Sequence, residues 1–348
     1  MKMNEYLRDV LNQSKDIAKA VNYYFNEENI EKLTRIQNLI FDNVIFTGMG
    51  SSHYCACSAS TYLNNNGVKS RVISAGELLH YEYNSIGKST LVIAISQSGE
   101  SAEIVRLIDR IGKNVKVVGI TNNEKSPLAN RADILLNLNV KPEKSVSTRT
   151  YISSIILCLL VSCSILKKLN DETRDYFIRA VESIDNAIKM CEENKDRLLE
   201  FLDGVNYITL LARGYNIGTA YAGALFIQEL SKFPAYGMDA AEFRHGPLEI
   251  VDDSFRGIIV SPSGLTCDLN VKLAKDISSY GGRIILLSDG EESFEEDNII
   301  NIKMDFCDEH LTPIFYILPI QYLDNLIAEK KGLKVGEFRW GEKVTREE

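Results

Sequence analysis

Positive charge is what this sequence most plainly lacks. Thirty-nine Lys and Arg stand against forty-eight Asp and Glu, a formal net charge of -9 with a pI near 5.2. That balance argues against a nucleic-acid partner, whose phosphates need a basic face. No apolar run reaches the ~20 residues of a membrane span. The longest, 151–166, contains several serines and reads as a buried core helix, so no membrane partner is expected. The opening stretch MKMNEYLRDVLNQSKDIAKAV is polar and amphipathic rather than a charged start followed by an apolar run. No signal peptide is expected from it, and the chain reads as cytoplasmic. The seven cysteines are odd in number, scattered, and without paired metal-ligand spacing, which suits reduced thiols. Cys55 and Cys57, the tightest pair, stand two apart on a helical stretch and so point to different faces. No metal site is expected. The third glycine of a dinucleotide fingerprint and the Gly-Lys-Ser/Thr of a P-loop are also missing, so neither NAD nor ATP is expected, and no motif calls for another cofactor.

What is present is an ordinary globular composition, 45% apolar and 25% charged, in 348 residues. That length exceeds what one hydrophobic core usually supports and points to two domains. Apolar β-branched runs alternate with amphipathic segments, the pattern of parallel sheets covered by helices. The fold class expected is α/β, with two successive five-stranded, mainly parallel sheets flanked by helices. Strand candidates in the first half are 43–47, 70–74, 90–95, 115–120 and 134–138. In the second half they are 207–211, 256–260, 283–287 and 299–302, with a closing helix over 314–331. The expected organisation is a helical segment over 1–40, a first domain over 41–170, a helical connector over 171–200, a second domain over 201–331 and a C-terminal tail over 332–348. Residues 1–40 show no recognition-helix signature.

The most informative stretch is Ser96-Gln97-Ser98-Gly99-Glu100-Ser101, which ends a buried strand and opens a helix. Free N–H groups and the positive end of a helix dipole bind an anion there without a lysine, and Ser96, Ser98 and Ser101 add hydroxyls. The same serines would also serve as ordinary helix caps. A second polar junction, Gly48-Met49-Gly50-Ser51-Ser52-His53, follows the first strand. A third, Pro142-Glu143-Lys144-Ser145-Val146-Ser147-Thr148-Arg149, opens the long apolar helix. All three could meet at the carboxyl edge of one sheet, where ligands of open α/β folds bind.

Taken together, SQSGES, GSS and SVSTRT resemble the phosphate site of the SIS (sugar isomerase) double-domain family. They are similar to the isomerase half of glucosamine-6-phosphate synthase and to stand-alone phosphosugar isomerases, deaminases and deglycases. The resemblance runs from about residue 40 to the end. It implies that Ser52, Ser96, Gln97, Ser98 and Ser101 hold a sugar phosphate, and that Ser147 makes a further ligand contact on a loop one residue shorter than the family's.

In the second half, an apolar helix carries Glu229 near its end. A carboxylate buried there would have its pKa raised toward the range useful for proton transfer, whereas one facing solvent would be an ordinary surface glutamate. His245, sixteen residues on, stands beside a Gly-Pro turn and is a natural acid-base group near neutral pH. The resemblance implies that Glu229 moves the proton between sugar carbons 1 and 2. It also implies that His245 assists ring opening, reaching the neighbouring subunit's site in a homodimer. Lys343, in the tail Phe338-Arg339-Trp340-Gly341-Glu342-Lys343-Val344-Thr345, corresponds to a lysine that can form a Schiff base with a ketose. It directly precedes Val-Thr, where the family has one residue between, and a solvated tail lysine is the commoner case.

Two departures bear on the reaction. Phe226 stands where the synthase has a lysine, and Ala222 where it has a glutamate. No glutaminase segment is seen. The expectation is therefore a phosphosugar-processing enzyme of isomerase, deaminase or deglycase type, without glutaminase activity. It would act on a 6-phosphorylated amino sugar or fructosyl-amine. The alternative is a non-catalytic sugar-phosphate-binding regulator. His53, His80 and His310 have no motif around them that calls for a histidine.

Overall fold

The computed structural model describes residues 4–143, 145–290, 297–340 and 342–347. Lys144 and Gly341, which belong to two of the motifs above, lie outside the described residues. The described residues form two five-stranded sheets, and every recorded pairing is parallel. The first sheet consists of β1 (Asn43–Gly48), β2 (Ser70–Ser74), β3 (Thr90–Ile95), β4 (Lys116–Thr121) and β5 (Ile134–Asn137), in the order β2-β1-β3-β4-β5. The second consists of β6 (Ile208–Ala212), β7 (Ala235–Asp239), β8 (Arg256–Ser261), β9 (Arg283–Ser288) and β10 (Ile299–Lys303), in the order β10-β9-β8-β6-β7. The expected pair of five-stranded α/β sheets is what the chain forms.

The accompanying helices are α1 (Glu5–Tyr24), α2 (Glu27–Gln37), α3 (Ser51–Tyr54), α4 (Cys57–Asn65), α5 (Ala75–His80), α6 (Ala102–Arg110), α7 (Pro127–Arg131), α8 (Arg149–Ile165) and α9 (Asp171–Glu193). They continue with α10 (Lys195–Phe201), α11 (Ile217–Leu230), α12 (Ala240–Phe243), α13 (Cys267–Ser279), α14 (Pro313–Tyr316) and α15 (Leu318–Lys330). Two compact units result. The first-sheet unit comprises Lys15–Ile178 and Phe338–Glu348; the second-sheet unit comprises Met1–Ser14 and Arg179–Glu337. The divisions fall inside α1 and α9, so each unit is assembled from two separate stretches of chain.

The strands carry Val, Ile and Leu without alternation because helices cover both faces of a parallel sheet. All six residues of β3 and of β8 are buried. In the first-sheet unit, Ile45, Val92, Ala94 and Val117 of the sheet pack with Leu107 and Ile108 of α6 and Leu128 of α7. In the second-sheet unit, Leu211, Ile259 and Leu286 pack with Leu273, Ala274 and Ile277 of α13. The apolar stretch at 151–166 is indeed an interior helix: α8 is buried from Arg149 to Ser164. Its serines fit because Ser154 and Ser162 donate to the carbonyls of Thr150 at 2.8 Å and Cys158 at 3.0 Å. No helix among the described residues is long and apolar enough to cross a membrane. All seven cysteines are free, and burial pushes Cys57 and Cys163 up to about 12.

The structure differs from the sequence expectation at two elements. The fifth strand of the second sheet, β7, is a segment that periodicity did not single out. The closing helix is divided into α14 and α15, with Pro319 in the first turn of α15, where its missing N–H costs nothing. In both sheets the strand order reverses direction, between β1 and β3 and between β6 and β8. The carboxyl ends of those strands flank the crevice in which open α/β folds bind ligands.

Candidate active site

In the first-sheet unit the crevice opens where β1 and β3 end. β1 closes on Gly48, where a Cβ would come within 2.6 Å of the Ser52 carbonyl, so only glycine lets the chain fold back so tightly. Gly50 follows at φ 52, the left-handed region, and Ser52 lies half-buried in the first turn of α3. His53 stacks on Tyr54 with centroids 5.3 Å apart, and burial lowers its pKa.

After β3, Ser96 is buried and hydrogen-bonds back to the sheet, donating its N–H to the Ile120 carbonyl at 3.0 Å. Its hydroxyl accepts the Gly99 N–H at 3.0 Å and lies 3.2 Å from the Ser101 hydroxyl. Ser98 Oγ accepts the Glu100 N–H at 3.1 Å. The Gln97 carbonyl takes the Asn122 N–H at 3.0 Å and the Thr121 hydroxyl at 3.1 Å. The turn depends on Gly99, whose φ of +68 and contact with Ser126 leave no room for a side chain. Ser101 occupies the cap position of α6, yet its side chain makes no capping bond. Its hydroxyl is therefore not committed to the helix it precedes.

Ser147 lies half-buried in the loop leading to α8. That loop is organised by a residue whose role sequence reasoning missed. Glu143 is buried; its Oε1 accepts the Thr148 N–H (2.9 Å), the Thr148 hydroxyl (2.8 Å) and the Thr150 N–H (3.0 Å). Its Oε2 accepts the Thr150 hydroxyl at 2.6 Å. The C-terminal tail docks on the same unit. Lys343 Nζ donates to the Glu143 carbonyl at 2.8 Å and lies 3.4 Å from its carboxylate. The Thr345 carbonyl accepts the Ala102 N–H at 3.1 Å, and Arg346 pairs with Glu100. The tail thus joins the loop before α8 to the turn before α6, two of the three segments singled out in the sequence.

The second-sheet unit holds the other candidates. Glu229, half-buried, is the penultimate residue of α11, and its carbonyl accepts Lys232 Nζ at 2.5 Å. Asp324 of α15 is fully buried nearby. Burial raises its pKa well above the carboxylate range and the Glu229 charge adds to the effect, while the nearby Ser231 and the Lys232 charge oppose it. His245 is exposed in the turn after α12, with its N–H on the Glu242 carbonyl at 2.9 Å and Gly246 beyond it at φ 140. Its neighbours fix that turn: Phe243 is buried in the core and Arg244 pairs with Asp276 at 2.8 Å. The two departures from the family pattern, Ala222 and Phe226, are both wholly buried on α11.

The turn after β8, Ser261-Pro262-Ser263-Gly264, occupies the position in its sheet that the 96–101 turn occupies in the other. It is closed by the protein's own acids. Asp289 Oδ1 accepts the Ser263 N–H at 2.7 Å and its hydroxyl at 2.9 Å. The Glu309 carboxylate lies against Gly264, accepts a hydrogen bond from the Leu265 backbone, and has its pKa raised by burial. The 96–101 turn has no such acid on its backbone N–H groups among the described hydrogen bonds.

A family model described as the SIS domain matches residues 42–162 and 202–323. The chain is 30% identical over 337 residues to a glutamine–fructose-6-phosphate aminotransferase of Thermococcus kodakarensis, covering 94% of this chain and 55% of the relative. It spans about half the length of the curated relatives it matches. Among solved structures, the C-terminal domain of the glucosamine-fructose-6-phosphate aminotransferase of Francisella tularensis superposes with a TM-score of 0.83 at 20% identity, covering 95% of this chain and 97% of that one. A glucosamine-6-phosphate deaminase of Thermotoga maritima superposes at 0.78 with 21% identity, covering 98% and 99%. These structural likenesses concern the fold.

Proposed function

The chain belongs to the SIS-domain family, and from that premise we propose that it is a phosphosugar-processing enzyme of isomerase, deaminase or deglycase type. Its substrate would be a 6-phosphorylated amino sugar or fructosyl-amine. The observation that carries this is the 96–101 turn. Three hydroxyls and the N-terminus of a nine-residue helix converge there, with the Ser101 side chain not spent on capping. Such a turn suits a phosphate dianion. Ser52 and Ser147 are proposed to complete the grip, with Gln97 held in place by Thr121 and Asn122.

In the mechanism proposed, His245 transfers a proton to the ring oxygen as the sugar ring opens, and the anomeric hydroxyl gives up its own proton, restoring that of the imidazole and leaving a carbonyl. The Glu229 carboxylate then takes a proton from one of sugar carbons 1 and 2 and returns it to the other, while a second proton passes from the oxygen or nitrogen on the first carbon to the carbonyl oxygen on the second, so the carbonyl changes place with no outside oxidant or reductant. The exposure of His245 on a turn braced by Phe243 and Arg244 supports its serving the site of a second copy in a homodimer. Lys343 is assigned to fastening the tail, because its Nζ is engaged by both the carbonyl and the carboxylate of Glu143; an imine at this nitrogen would first require its release.

The test is coupled turnover on glucosamine 6-phosphate, fructose 6-phosphate and fructosyl-amino-acid 6-phosphates. Glu229→Gln and His245→Ala should each lower kcat by about 10²-fold or more, the usual scale for a positioned acid or base. Tight binding of these phosphates with no turnover of any would instead make the protein a sugar-phosphate-binding regulator.

A further inference from the structure

The tail meets the phosphate turn at an acid that the mechanism above leaves without a task. We propose that Arg346 is a positioning residue that neutralises Glu100, the one charged side chain in the 96–101 turn, so that a phosphate dianion can settle there. The inference rests on the phosphate-binding reading just given.

The turn contributes hydroxyls, an amide and backbone N–H groups but no cation. Glu100, by contrast, places a carboxylate two residues before α6 begins. Its Oε1 accepts Asn123 Nδ2 at 3.3 Å, while its Oε2 accepts Arg346 Nε at 3.0 Å and Nη2 at 2.9 Å. The remaining Arg346 nitrogen, Nη1, lies 3.7 Å from Glu342. Isolated surface pairs of long side chains count for little, because ordering them costs what the attraction returns. Here the backbone on both sides is already fixed. The Thr345 carbonyl, one residue before Arg346, accepts the N–H of Ala102, two residues after Glu100. Three residues before Arg346, Lys343 is held by Glu143. The pairing follows from how the tail docks.

The N-terminus of a helix offers roughly half a positive charge. A carboxylate left unpaired beside it would compete for that charge and repel an incoming dianion. With Arg346 in place the turn is neutral, and its hydroxyls, together with the N–H groups not already bonded to Ser96, Ser98 or Thr345, can recognise the phosphate. Arg346 therefore acts through Glu100, and loss of the acid should offset loss of the guanidinium.

Binding of inorganic phosphate and of fructose 6-phosphate to the full chain tests this by titration calorimetry of wild type, Arg346→Ala, Glu100→Gln and the double variant. Arg346→Ala should weaken both ligands by about tenfold in ~50 mM salt and clearly less above ~0.5 M, where screening reaches within a few ångströms. The double variant should bind within about twofold of Glu100→Gln alone. A residue that merely fastened the tail would show neither the salt dependence nor the rescue. The proposal fails if Arg346→Ala binds like wild type, or if the double variant stays as weak as Arg346→Ala. If wild type binds neither ligand, the phosphate reading fails and takes this proposal with it, an outcome distinct from wild type and variant binding equally well.

Discussion

Replacing Gly99 by alanine should damage the 96–101 turn by an amount that can be worked out from two local effects. The first is backbone strain: φ is +68, and a Cβ in the left-handed region costs about 1–2 kcal/mol. The second is collision. A Cβ at Gly99 would overlap the Ser126 hydroxyl and Cβ and lie 3.0 Å from Thr121 Oγ1. Ser126 cannot yield freely. It caps α7 by accepting the Ala129 N–H at 3.2 Å, and it donates to the Asn123 carbonyl at 2.7 Å. Displacing it forfeits a cap and a hydrogen bond, each about 1 kcal/mol. The total is about 3 kcal/mol. Gly67 provides the control, because its φ is +79 but nothing lies within 4 Å of its would-be Cβ. Gly67→Ala should cost only the strain, so the two variants should differ by about 2 kcal/mol. For a unit of this size that is a gap of about 4–8 °C in Tm. Thermal and urea unfolding followed by circular dichroism measures it. Two equally stable variants would mean that Ser126 does not hold Gly99 in place.

Other positions give equally definite outcomes. Glu143→Ala strips the loop before α8 of a buried acceptor with four bonds from Thr148 and Thr150. It should cost about 3–5 kcal/mol in urea unfolding, with Glu143→Gln intermediate; a loss under about 1 kcal/mol would mean the loop does not depend on this carboxylate. Asp324→Asn should stabilise the protein near neutral pH but not near pH 3. Burial raises the folded-state pKa of Asp324, so its carboxyl contributes full stability below its unfolded value of about 3.9. That contribution is lost as pH climbs from there through the folded value, each tenfold gain in proton affinity on folding being worth about 1.4 kcal/mol. Unfolding free energies of the two proteins compared from pH 3 to pH 8 check this; parallel curves would show that Asp324 does not sit in the environment described.

The sheets could be read from the sequence because most of their strands are short runs with an apolar, largely β-branched centre between polar turns. The five strands of the first sheet and four of the second begin and end within one or two residues of where the runs do. β7 was missed for a local reason. Its five residues, AYGMD, contain a glycine and three side chains without β preference, and only Ala235 is buried. Gly237 is there because the backbone of α11 passes so close that a Cβ would come within 2.7 Å of the Ala220 carbonyl and Tyr221 Cα, a constraint that comes from packing. The same limit applied to the site. The 96–101 turn was legible because its chemistry is contiguous. The task of Glu143 was not, because its partners are Thr148, Thr150 and a lysine in the tail. The carboxylates that close the turn after β8 come from Asp289 and Glu309, far along the chain, and left no local signal.

The way each unit is assembled from two stretches of chain has a consequence in time. Lys343 and Glu143 are 200 residues apart, and Arg346 and Glu100 are 246 apart. During synthesis the first sheet can form as soon as β5 and α8 have emerged, yet the segment that fastens the turn before α6 and the loop before α8 arrives only after the second-sheet stretch 179–337 has been made. Contacts of such separation form late, since the loop must close before they reward it. Until residues 343–346 have emerged, Glu100 therefore lacks the Arg346 partner it has in the folded chain. Cutting the chain once between the sheets would yield two fragments, neither of which contains a complete unit.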